Sequence, residues 1–371
     1  MGAKQRLEWL DTLKGWGIAF IVLGHIVGAG VHLSDGLSQA FCAGAYRYFY
    51  AFHVPLFFCV AGMTLRPAPW GRFLYGRTRR LLVPYFVIGV LSVLVYTVAI
   101  DFVAPILQAG GGAYYDDRVT HLSVWASLKI LLSGNIFWSP LVANKVLWFI
   151  PALFSATLVG HCLAHVSQRW WAWLIFGMGA AALVRWVSLP ELPWCLNSVP
   201  YWLIYLAFGV LLGKGAFDRL CRPAAFLLGL LCIVGFGTLA VWGWPDAWAP
   251  LLRRLWMLPA LLVVCGNIFG WFLLSRALPC RPLAVLGIAS LGIMLFHKFP
   301  IVFLQSVLPW GRAFFQGGFL TMLAGVAVIF VLSVALSLLA YCFILRYFPW
   351  LFGKVAWPLG NLFNKESHHE S

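Results

Sequence analysis

Runs of about twenty predominantly apolar residues recur along this chain, and they limit its fold more than any other feature. A helix needs that length to cross ~30 Å of hydrocarbon, whereas a transmembrane strand shows about ten residues of alternating polarity. The runs here do not alternate. Of the 371 residues 62% are hydrophobic and only 10% charged, against roughly 25% charged in soluble domains. A soluble core cannot hide that much apolar surface, and in lipid every backbone polar group needs an internal partner. The sequence therefore predicts an all-α polytopic membrane protein of about ten transmembrane helices. They lie near 14–33, 43–65, 81–103, 146–166, 170–189, 199–213, 224–243, 255–275, 284–308 and 318–345, the sixth being short enough to tilt or re-enter. Residues 1–371 read as a single integral membrane domain, with a core of about 9–345 and a short polar tail at 346–371.

Lysine and arginine in the loops set orientation. With the N-terminus inside, 17 of the 26 fall inside and 7 outside, and Arg47 and Lys298 lie within spans. Both termini are thus expected in the cytoplasm of a bacterial inner-membrane protein. The net charge of +15 belongs to these loop patches, so membrane lipids and not nucleic acid are the expected surroundings. Tryptophans such as Trp125, Trp138, Trp170, Trp171, Trp173, Trp242, Trp244 and Trp248 cluster near span ends, as an aromatic belt does. Leu13–Ile26 resembles a signal-peptide core, but no A-x-A-like cleavage site follows, and it reads as a retained first helix. The longest connection, 104–145, carries Gly110–Gly112, Tyr114, Tyr115, Asp116 and Asp117, then an apolar stretch at 122–132 too short to span. The nine cysteines show no CxxC or Cys/His spacing, so no metal site is expected. No Walker loop and no dinucleotide fingerprint is present, which argues against an ATP-driven pump.

Ionisable groups inside a span cost several kcal/mol by insertion scales and so mark function. His25 follows Lys14 by 11 residues. At 100° per residue this is within about 20° of three full turns, and the rise is roughly 16 Å. Lys14 is thus expected at the cytoplasmic edge and His25 near mid-membrane on the same face, with Asp11 placed at i, i+3 to pair with Lys14. A buried neutral imidazole suits general-base work; packing against a neighbouring helix is the plainer reading. His53 stands two residues before Pro55, a local break of the kind tolerated beside cavities. Arg47 either joins it or snorkels to the outer interface. His297 and Lys298, next to Pro300, form a third polar point lining the cavity. His161 and His165, at i, i+4, are expected at the inner interface, since no third ligand stands nearby; His368 and His369 lie in the polar tail. Arg72, Arg77, Arg79 and Arg80 are either an ordinary positive-inside patch or, with Arg77 and Arg80 at i, i+3, a phosphate clamp.

Lys14, ten intervening residues and His25, within Trp9-Leu10-Asp11-Thr12-Leu13-Lys14-Gly15, resemble the opening of the acyltransferase-3 family of membrane O-acyltransferases. Phe52-His53-Val54-Pro55-Leu56-Phe57-Phe58 is similar to its second-helix motif, with Ala61 where many members have serine. Arg77-Thr78-Arg79-Arg80 fits its Arg-x-x-Arg, and Leu147-Trp148-Phe149-Ile150-Pro151 and Met294-Leu295-Phe296-His297 resemble two later signatures. The set is most similar to the small fucose 4-O-acetylase-like branch. The resemblance implies acetyl-coenzyme A as donor and no metal. It implies His25 as the catalytic histidine, supported by Lys14 and Asp11, with Arg77, Arg79 and Arg80 holding coenzyme A. His53, Arg47, Trp148, His297 and Lys298 would line the substrate cavity. The implied acceptor is a hydroxyl of a cell-surface or exported glycan (an exopolysaccharide, a cellulose-like polymer or a lipid-linked oligosaccharide), with polysaccharide synthesis or export machinery as a partner. The rival reading is a transporter, a flippase or a non-catalytic membrane subunit of a polysaccharide export system; against a transporter, no inverted repeat is visible between the halves.

Overall fold

The computed structural model describes residues 7–33, 35–94, 124–135, 144–187, 190–215, 217, 219–243 and 257–352. The glycine and tyrosine run at 110–117, Trp138, Trp244, Trp248 and the tail histidines lie outside them. The described residues are mostly helical, with no strand among them. Among the described residues seven helices are long and apolar enough to cross a membrane.

α1 (Glu8–Val27) is the hub. A short 3₁₀ turn (Gly28–His32) reverses the chain into α2 (Gly36–Thr64), whose start is capped by Asp35 accepting from the Ser38 backbone N–H at 3.1 Å and from its hydroxyl. These bonds hold the Asp35 carboxyl below its ordinary pKa. Pro55 does not break α2, which runs through it as one helix. α3 (Trp70–Arg77) passes through a π turn (Thr78–Leu82) into α4, described over 83–94. α5 (Val124–Ser133) is the expected non-spanning apolar stretch. It folds back on α4, where the Tyr85 hydroxyl donates to the Leu131 carbonyl at 2.6 Å.

α6 (Phe149–Val166), α7 (Trp170–Val187), α8 (Val199–Leu212), α9 (Arg222–Trp242) and α10 (Leu258–Ala277) follow as spans. The expected span at 284–308 is not one helix. It is α11 (Arg281–Ile288), α12 (Ser290–Phe296), α13 (Lys298–Val302) and a π turn (Phe303–Val307). Pro300 has no N–H to offer the Phe296 carbonyl, and such loss breaks the ladder. α14 (Pro309–Gln316) leads into α15 (Phe319–Tyr347).

Two helix pairs set the frame by backbone approach. A Cβ on Gly15 would collide with the Leu283 carbonyl, and one on Gly287 with the Asp11 carbonyl, so α1 and α11 touch through their main chains. Gly62 and Gly209 play the same part between α2 and α8, against the Leu206 and Cys59 carbonyls. Small residues at such crossings are the membrane way of packing helices, because lipid supplies no hydrophobic drive between them. Thr12 reinforces the first pair: its hydroxyl accepts from the Cys280 N–H at 3.0 Å, at the entrance of α11. By contrast α7, α9 and α15 turn Ile175, Leu231 and Leu320 outward, as surfaces that face acyl chains do.

Candidate active site

α1 and α2 are antiparallel and joined by one short turn, so the end of α1 meets the start of α2. That places His25 beside Tyr46, Tyr50 and His53, which recur at i, i+4 and i+7 along α2. The Tyr50 hydroxyl is hydrogen-bonded to His25 Nδ1 at 3.1 Å. Tyr46 stacks on Tyr50 with ring centroids 4.0 Å apart, and Tyr50 meets His53 edge to face at 4.8 Å. His53 lies 2.5 Å through Nδ1 from the Phe49 carbonyl. A carbonyl only accepts, so the neutral His53 ring carries its hydrogen on Nδ1 and keeps its lone pair on Nε2.

These residues line a cavity of about 960 Å³. Its apolar wall includes Trp148, Trp202 and Met294, and Trp202 is itself held by Phe58, stacked at 4.3 Å and 5°. Its polar rim has Asn135, Lys145, Glu191 and Asn197. Part of the wall is a strained turn. Trp194 and Cys195 sit at φ 60° and 56°, the left-handed region, and Asn135 Oδ1 accepts from the Cys195 N–H at 3.3 Å. Such backbone costs about 1–3 kcal/mol per residue and persists where the surroundings fix it. The sequence gives no periodic signal for this turn, only Pro193 and the short sixth span.

His297 was expected in the cavity wall; it lies behind it, fully buried, with its ring 5.2 Å from that of His25. Lys298 follows it, partly buried, at the start of α13. Arg47 is outside the cavity: it is exposed and donates to the Val241 carbonyl at 3.2 Å, tying α2 to α9. Six residues on an α-helix is a turn and two thirds, which points Arg47 away from His53. Trp148 lines the cavity as expected. Tyr50, Tyr46 and Trp202 were not singled out from the sequence, although the i, i+4, i+7 spacing to His53 was a usable signal for the first two. Gln305 was also missed: its Nε2 donates to the Ile26 carbonyl at 3.0 Å and fixes the end of α1 beside His25.

At the opposite end of α1, Lys14 is paired with Asp11 at 2.5 Å, and Asp11 is buried. The arginines of α3 and its π turn stand at the same end as the C-terminus of α2. Arg77 lies over the Phe73 ring at 5.6 Å, and burial beside Arg80 holds its guanidinium below its ordinary pKa. Arg79 donates to the Tyr75 hydroxyl at 2.5 Å, and Arg80 is exposed. The expected interfacial place of His161 is corrected: it is fully buried, stacked on Phe73 at 3.8 Å and 3°, with its Nε2 3.2 Å from His165 Nε2. The return of α3 over α6 covers it. Among the described residues no group of three His, Cys, Asp or Glu side chains stands together as a metal site.

A half-buried histidine on a helix long enough to span a bilayer, facing an aromatic cavity with a polar rim, defines the class: a multi-pass α-helical membrane protein with a polar-rimmed internal cavity. The chain belongs to the acyltransferase-3 family, whose acyltransferase domain matches residues 7–361, nearly the whole length. It is therefore a membrane acyltransferase. No curated protein and no solved structure matches it.

Proposed function

We propose that the protein moves an acetyl group from acetyl-coenzyme A to a hydroxyl of a cell-surface or exported glycan in a bacterial inner membrane. The observation that carries this reading is His25, hydrogen-bonded to Tyr50 in a cavity whose walls mix aromatic rings with amides. Rings such as Trp148 and Trp202 suit the C–H faces of a sugar, and Asn135 and Asn197 suit its hydroxyls.

Arg77, Arg79 and Arg80 would receive the donor's phosphates at the far end, through charge-assisted bonds. Lys14 stands on the same helix as His25, roughly 16 Å away by helical rise, a span the pantetheine arm covers, and Asp11 pairs with Lys14 from about one turn further out. His25 draws off the acceptor hydroxyl proton through the Tyr50 hydroxyl bonded to its Nδ1, as the oxygen attacks the thioester carbonyl. The new C–O bond forms, the C–S bond breaks, and the proton passes from His25 to the thiolate sulfur. His53 stands beside Tyr50 in the wall of the same chamber and Lys298 next to His297. Polysaccharide synthesis or export machinery would supply the acceptor.

The test is coenzyme A release by the purified protein in lipid nanodiscs, with acetyl-coenzyme A and a panel of oligosaccharides. Release that depends on an oligosaccharide and leaves a base-labile acetyl ester on it supports the reading. Release with no acetylated sugar, or acetylation of an amine only, sinks it.

A further inference from the structure

His297 has a hydrogen-bonding state that the cavity itself does not explain. It closes α12, and its Nδ1 lies 3.0 Å from the Ile293 carbonyl, four residues back. In the neutral ring Nδ1 therefore carries the hydrogen, and the only lone pair is on Nε2. That atom is fully buried and has no hydrogen-bond partner among the described residues. A buried acceptor left without a hydrogen bond destabilises the fold, so its retention asks for a reason. Its neighbour is the His25 ring, 5.2 Å between centroids at 37°. On the other side His25 Nδ1 is already engaged by the Tyr50 hydroxyl.

Resting on the reading of His25 as the base, we propose that His297 is a positioning residue that fixes the tautomer of His25. A small turn of the two rings, whose centroids are 5.2 Å apart, brings the hydrogen of His25 Nε2 onto the free Nε2 lone pair of His297, so that the lone pair of His25 is held on Nδ1, towards Tyr50 and the cavity. The Tyr50 hydroxyl, which lines the cavity, then donates to Nδ1 at rest. During transfer it hands its proton to Nδ1 while taking one from the acceptor hydroxyl, so no proton is gained or lost. When His25 becomes imidazolium, the neutral His297 ring still accepts from Nε2–H and steadies the charge. The arrangement needs the main-chain bond to Ile293, because a flipped or rotated His297 would turn a hydrogen towards His25 instead. The break between α12 and α13 lets the chain present that ring inside the bundle.

Two isosteric probes separate the role from mere packing. In His297→Gln the amide reaches the place of Nε2, while in His297→Asn it reaches only that of Nδ1. Both are neutral and polar, and both are assayed as full-length protein in nanodiscs, with monodispersity checked by size exclusion. Hydrogen-bond partners that orient metal-binding histidines are commonly worth 10–100-fold, and the same order is expected for a partner that orients His25. The expected result is kcat for His297→Asn about 10–100-fold below wild type, at unchanged KM for acetyl-coenzyme A, with His297→Gln recovering at least several-fold of that loss. Equal kcat for the two variants, or a loss that falls on KM, overturns the inference. If wild type turns over and His25→Ala does so equally, the reading of His25 has failed instead. A dead His25→Ala with equal Gln and Asn variants at position 297 condemns the His297 role alone.

Discussion

Two histidine clusters sit at opposite ends of this bundle, and they differ in what surrounds them. Around His25 the rings of Tyr46, Tyr50 and His53 border open space of about 960 Å³, and Tyr50 is more than a third exposed to it. Around His161 the rings close on one another: Phe73 covers one face, Trp70 meets the edge at 4.8 Å, and His165 takes up Nε2. Both clusters hold a buried imidazole on a membrane helix, which costs free energy in either place. The difference is access. One histidine presents a nitrogen to a tyrosine hydroxyl in a chamber, while the other is packed between α3 and α6 beneath the arginines.

The largest way to break this comparison is to move α1. In Gly15→Val the new side chain has no room against the Leu283 backbone, so α1 must leave α11. Overpacking of this kind costs about 1–3 kcal/mol or more. The variant is expected to show a lowered Tm and little acyl transfer, whereas Gly71→Val on α3, where nothing among the described residues lies within 4 Å, keeps both. Similar losses for the two would mean that the inner cluster is as tightly framed as the outer one.

A smaller effect is expected at the cavity wall. Trp202→Ala removes a ring stacked on Phe58 and facing the chamber. An aromatic pair is worth about 0.5–1.5 kcal/mol beyond its area, so the KM for the acceptor should rise roughly three- to tenfold. The KM for acetyl-coenzyme A should not move; a change confined to the donor would place Trp202 on the wrong substrate. The smallest effect belongs to His161→Phe, which keeps the stack on Phe73 and removes the imidazole. Transfer near the wild-type rate is expected, and a dead but folded variant would give the inner cluster a chemical role.

Much of the frame was legible because bilayer thickness and helical rise act locally. The length of most apolar runs (284–308 excepted), the i, i+3 pairing of Asp11 with Lys14 and the place of His25 on the first helix needed no tertiary knowledge. What escaped depends on remote partners. His297 was read as cavity wall because Pro300 marks a broken helix, yet only the packing of α12 against α1 shows that it stands behind His25. His161 was read as interfacial because no third metal ligand stands near it in sequence, and its cover comes from Phe73, nearly ninety residues earlier. Arg47 is turned away from the chamber by helical phase, and its partner carbonyl lies on α9. The strained turn at Trp194 and Cys195 is held by Asn135, sixty residues away, so no local pattern announces it.

The central claim is that acyl transfer happens at His25. The direct measurement is the rate of acetyl transfer by His25→Ala against wild type, at matched membrane level and equal thermal stability. General-base catalysis contributes about 10²–10⁴-fold, so the account predicts a loss of at least 100-fold with the acetyl-coenzyme A affinity retained. A folded His25→Ala that transfers acetyl at the wild-type rate would contradict it.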